Sequence, residues 1–273
     1  TRARLSSGIF PGIRGKMAGM DKIRTDALAA YGERAAQELP ARGTTSGRRE
    51  RARIRRALRA VAALGREEGT STWYADNVWL AREAAVQAGE SFRRAGRLRS
   101  AGPVSAVTAL AGRFLDAGET TEARLGAYLT GARRTGSLSE TEVCLFGAGL
   151  RAALLRRLAG GLDETEAARA FAALRTVCSL DLGDILEKSD PVDAVLRHDG
   201  VYPLMDEQSR ADYRRRVRAL AKKRGEEPIQ TAAFAVNSSL HETLFPPRER
   251  SGRLYIALYG ALTLLLALAA ALW

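Results

Sequence analysis

SETEVCLFGAGLRAALLRRLAGGLDETE, residues 139–166, is the stretch on which the fold turns. Ser139 with Glu142, and Asp163 with Glu166, each have the spacing of a reciprocal helix N-cap: an oxygen side chain at the cap and a carboxylate three residues on. Between the two caps, Val143, Phe146, Leu150, Leu154 and Leu158 recur at intervals of three and four, the period of one buried helix face. Gly147 and Gly149 follow no strand and so do not form a dinucleotide-binding loop. They are read as places where another helix comes close.

The same grammar runs outward in both directions. Pro40 stops a helix expected over Asp21–Leu39, and ARGTTSG, residues 41–47, reads as a linker. RRERARIRRALRAVAALGREE then places Ile54, Leu58, Val61 and Leu64 on one face and arginines on the other. Trp73 opens a third helix with Trp73, Asn77 and Leu80 on one side and Trp79 and Val86 on another. Pro103 suits the first turn of a fourth helix running to about Ala117. Residues 119–134 make a fifth. Asp190 and Pro191 start a short helix, Asp206 caps the helix that follows, and Glu227 with Pro228 begins another. Alanine, leucine and arginine, which lose little freedom in a helix, fill these segments, and period-two β-branched runs are nearly absent. The expected fold is an all-α, multi-helix cytoplasmic bundle followed by one C-terminal transmembrane helix.

That last helix is LYIALYGALTLLLALAAALW, Leu254–Trp273, which holds no charged residue and eight leucines. At roughly 1.5 Å per residue it reaches roughly 30 Å, the thickness of the hydrocarbon layer. Tyr255 and Trp273 fall where interfacial aromatics belong. Arg248, Arg250 and Arg253 place the preceding chain in the cytoplasm by the positive-inside rule. The expected organisation is a flexible basic tail over 1–20, a helical cytoplasmic domain over 21–245, a basic juxtamembrane linker over 246–253 and the span over 254–273. Thr1 at the first position is read as the start of a fragment.

The 273 residues carry a net charge of +12, which calls for an anionic partner or a heavily solvated surface. No nucleic-acid-binding motif accompanies the charge, so no nucleic acid is expected. Cys144 and Cys178 form no paired motif and are read as small buried side chains in a reducing compartment. His241 and Glu242 open HETLF, but Phe245 stands where a zinc protease needs its second histidine. His198 is read as a cation near a helix C-terminus. Neither a phosphate-binding loop nor a G-x-S-x-G elbow occurs. Asp181, Asp184, Glu187, Asp190 and Asp193 form an acidic cluster read as caps and a solvated face.

PVDAVLRHDGVYPLMDEQSRADYRRRVRALAKKRGEEP, residues 191–228, resembles a segment of the cyclic β-1,2-glucan synthase family, whose N-terminal region carries VLRxDPAGVYxxMDFxTRDxYR. Val195, Leu196, Arg197, Asp199, Gly200, Val201, Tyr202, Met205, Asp206, Arg210, Asp212, Tyr213, Arg214 and Val217 match. Glu207 stands where the family has Phe, and the Pro-Ala of the loop is missing. Upstream, STWYADNVWLAREAAVQA is similar to the family's WLLDNFHxVxEQ through Trp73, Asp76 and Asn77. Residues 136–159 resemble a further family segment through Leu138, Glu142, Leu150, Arg151, Leu154, Arg156, Arg157 and Leu158.

The resemblance implies the N-terminal scaffold of a large glycosyltransferase in the bacterial inner membrane, with residues 1–253 cytoplasmic. UDP-glucose and a divalent metal would then serve the parent enzyme, but neither would bind this fragment. Its partners would be membrane lipid and the downstream glucosyltransferase and phosphorylase-like domains. The D-x-D and Q-x-x-R-W motifs of the transferase do not occur here, so no residue is assigned a catalytic role. Arg210, Arg214 and Arg218 form an i, i+4 ridge expected to meet a neighbouring domain, acidic headgroups or the glucan channel, or else to be solvated. The competing reading is a tail-anchored helical interaction protein without activity.

Overall fold

The computed structural model describes residues 11–40, 43–67, 69–245 and 263; for 11–23 it describes only the helical backbone. Among the described residues the chain is predominantly helical, with thirteen α-helices and one small sheet, so the all-α reading holds. None of these helices is long and apolar enough to cross a membrane. The expected linker and span, residues 246–273, lie outside the described residues apart from Thr263.

The chain divides into two compact units, Thr1–Ala194 and Val195–Trp273, where a single helical domain over 21–245 was expected. The first opens with α1 (Pro11–Gln37), which begins inside the stretch read as a flexible tail. β1 (Thr44–Ser46) follows, then α2 (Gly47–Leu64) and α3 (Thr72–Arg94). β2 (Arg97–Ala101) and β3 (Val104–Ser105) lead into α4 (Ala106–Asp116) and α5 (Glu122–Arg134). The unit closes with α6 (Glu140–Cys144), α7 (Phe146–Leu158), α8 (Glu164–Ser179) and α9 (Leu182–Lys188), and α10 (Pro191–Leu196) starts within it.

α7 is the centre of this unit. It packs on α2, α3, α4 and α8. The apolar stripe read from sequence is buried, but so are Ala148, Ala152, Ala153 and Leu155 on its other faces. A helix buried on nearly every side is what a central position demands. Gly149 lets α4 approach: a Cβ there would lie 2.9 Å from the Val107 carbonyl oxygen. α1 lies along α5 even more closely. A Cβ on Gly131 would run into the Ala29 carbonyl, and one on Gly32 into that of Tyr128.

Three sequence expectations change. The stretch read as a linker carries β1, which pairs antiparallel with β2. Pro103 does not start a helix; with Gly102 (φ +61°) it makes the two-residue turn between β2 and β3. A positive-φ glycine at the first central position is one of the arrangements that lets a tight hairpin follow the strand twist. Ser105 then caps α4, accepting from Thr108 N at 3.3 Å. Finally, Cys144 is exposed and Cys178 half-buried.

Among the described residues the second unit contains a 3-10 turn (Tyr202–Leu204), α11 (Glu207–Arg224), α12 (Pro228–Ser238) and α13 (Leu240–Leu244). α11 packs against α12 and α13. Tyr213 and Val217 face inward as their spacing predicts, and Gly225 in the left-handed conformation ends α11.

Candidate functional site

The residues singled out by sequence fall in both units. In the first, Asn77 on α3 is buried. Its Nδ2 donates to Trp73 O at 3.0 Å and its Oδ1 accepts from Arg175 Nη2 at 3.2 Å. Trp73 is half-buried and Asp76 exposed. Between them, Tyr74 escaped the sequence reading. It is fully buried, donates to Leu158 O and accepts from Leu162 N, both at 2.9 Å, and meets Phe171 edge-on. One hydroxyl therefore fastens α3 to the end of α7 and to the loop before α8.

Glu142 completes the reciprocal cap: its amide donates to Ser139 Oγ at 3.3 Å, and its Oε2 accepts from Ser139 N at 2.9 Å. The same carboxylate takes a two-pronged bond from Arg99 of β2 at 2.8 and 2.9 Å. Burial pushes its pKa up, but the Arg99 and Ser139 hydrogen bonds outweigh burial and leave the carboxyl below its usual range. Glu50 on α2 is the counterexample. It is 1 % exposed and accepts from Arg53 Nη1 and Ser105 N, each at 2.7 Å. There desolvation prevails over Arg53 and raises the pKa. Arg151 donates to Val177 O at 3.2 Å, while its buried Nε has no hydrogen-bond partner among the described residues.

The acidic cluster is less solvated than expected. Asp181 does cap α9, and Asp184 pairs with Lys188. Asp190, however, pairs with Arg133 of α5 at 2.9 Å in a setting where both are nearly inaccessible, and Glu187 and Asp193 are buried too. Among the described residues no group of three or more His, Cys, Asp or Glu side chains is placed to hold a metal ion.

In the second unit, most of the family-matching positions come together. Asp199 Oδ1 accepts from Val201 N and Tyr202 N at 2.9 and 2.8 Å, folding the loop tightly before the 3-10 turn. Tyr202 is fully buried, and its hydroxyl accepts from Arg214 Nη1 at 3.1 Å. Arg210 Nη1 donates to Met205 O at 2.6 Å. Asp206 caps α11 through Ser209 N at 2.9 Å, and the Ser209 hydrogen bonds hold its pKa down. Tyr213 packs on Tyr202 and Phe245, and its hydroxyl shares a 2.9 Å hydrogen bond with His241 Nδ1. His241 stacks on Phe245, whose ring is covered by the Arg216 guanidinium. Asp212 pairs with Arg215 at 2.6 Å on the exposed side. Arg197 is exposed, and His198 Nδ1 lies 3.1 Å from Val195 O near the end of α10.

This geometry corrects the arginine ridge. Arg214 is only 9 % exposed, and Arg210 and Arg218 are half-buried, so the three do not form an open cationic surface. Tyr202, twelve residues before Arg214, draws that guanidinium inward. Within the cluster, Asp199 and Arg210 close the turn and Asp206 caps α11. No protein-family model, curated protein or solved structure matches the chain.

Proposed function

We propose that this chain is the N-terminal helical scaffold of a membrane-bound, cyclic β-1,2-glucan-synthase-like glycosyltransferase, with UDP-glucose and metal handled by domains outside this sequence. One observation carries the reading. Of the matched positions, Asp199, Tyr202, Met205, Asp206, Arg210, Tyr213 and Arg214 close the loop, cap α11 and fill its inner face, while Val201 and Asp212 lie at the surface. A shared motif made of such positions marks a folding unit, and a large membrane enzyme would keep it as a platform. The uncharged run Leu254–Trp273 adds support, because it is long enough to be the first span.

A second reading, a tail-anchored interaction protein, draws on α3. Trp79 and Val86, seven residues apart on one face, are 56 % and 64 % exposed and could seat a partner helix. Sequencing the gene beyond codon 273 separates the two. Further apolar spans followed by Q-x-x-R-W are expected for the glycosyltransferase, whereas a stop codon would leave the interaction protein. Resistance to alkaline-carbonate extraction from membranes tests the span itself.

A further inference from the structure

α2 has two faces of opposite character. Ile54, Ala57 and Val61 are buried on one, together with Glu50. The other carries Arg48, Arg49, Arg55, Arg56 and Arg59, all exposed, with Arg51 half-buried beside them. On this helix Arg53 alone has an acidic partner, Glu50; none of the other six arginines makes an ion pair among the described residues. From Arg48 to Arg59 the row extends about 16 Å along the axis.

Folding does not explain this row. Arg48 and Arg49 lie in the first turn, where the helix dipole is positive and repels cations. Arg51, Arg55 and Arg59 recur at i, i+4 and repel one another. The last turn, where basic residues would help, has none. A face that works against its own helix is matched by an anion outside it.

We propose that the arginine face of α2 docks on the anionic headgroups of a lipid surface. The exposed positions of α2 are arginine or alanine, with no aromatic or amide side chain to stack on or read a base. An array of phosphates needs only the charge. The proposal rests on the membrane-bound reading, because attachment through Leu254–Trp273 would tether the chain to the surface and so raise the effective concentration of headgroups for a basic face.

The test uses the full chain as a C144S/C178A/A52C variant with an environment-sensitive fluorophore at position 52, which lies exposed within the arginine face. It is mixed with vesicles of phosphatidylcholine alone or of phosphatidylcholine with phosphatidylglycerol, and carbonate resistance is scored in parallel. The expected result is a blue shift only with phosphatidylglycerol, reversed by about 0.5 M sodium chloride. Adding R55Q/R59Q, which keeps helix propensity, should raise the half-saturating lipid concentration about 30-fold. Absence of a shift in carbonate-resistant protein overturns the docking and leaves the span intact. A shift with anionic lipid in protein that carbonate releases supports docking and removes the span. An equal shift on neutral vesicles, or a shift produced by duplex DNA and not by lipid, overturns the proposal.

Discussion

At the residue scale, two buried glutamates answer acid in opposite ways. The pKa of Glu142 is lower in the folded protein than its ordinary value of 4.5. Its stabilisation is therefore complete above that pH and is lost as the pH falls through the folded value. Glu142→Gln is expected to cost about 2–3 kcal/mol near neutrality, and the gap to wild type should narrow below about pH 4.5 in urea titrations. The pKa of Glu50 is raised in the folded protein, so its charged form is the strained one. As the pH falls through that raised value, wild type should gain stability relative to Glu50→Gln. Tyr74→Phe keeps the ring but strands Leu158 O and Leu162 N; a loss of about 1–3 kcal/mol is expected from the same titrations.

At the element scale, the close approach of α1 and α5 leaves no room for a methyl group at Gly131. Gly131→Ala is expected to destabilise by about 3 kcal/mol despite the better helix propensity of alanine, measured as a fall in the urea midpoint. The helix starts were legible because a cap is local: Ser139, Asp163 and Asp206 each bond an amide three residues on. The hairpin was not legible. Its strands are two to five residues long and poor in β-branched side chains, and Pro103 reads equally well as a helix start. The inward turn of Arg214 was hidden for a different reason. Helical spacing reports which residues share a face, but here Tyr202, outside the helix, decides which face is covered. Arg99 and Glu142 gave no joint signal, being forty-three residues apart with one of them on that unseen hairpin.

At the scale of the whole molecule, the sequence carries a surplus of +12, and the arginine row on α2 is part of it. Such a surplus loosens a fold by self-repulsion, and salt relieves it. Raising sodium chloride from about 0.05 to about 0.5 M is expected to raise Tm by roughly 2–4 °C, and R55Q/R59Q should shrink that gain. The meeting of Gly32 with Tyr128 and of Gly131 with Ala29 has a bearing on ancestry. Lineages can trade one apolar side chain for another, but no trade is open where main chain lies against main chain. A pair of glycines about a hundred positions apart is therefore a sparse fingerprint by which remote cousins could be aligned after every charged motif has drifted beyond recognition.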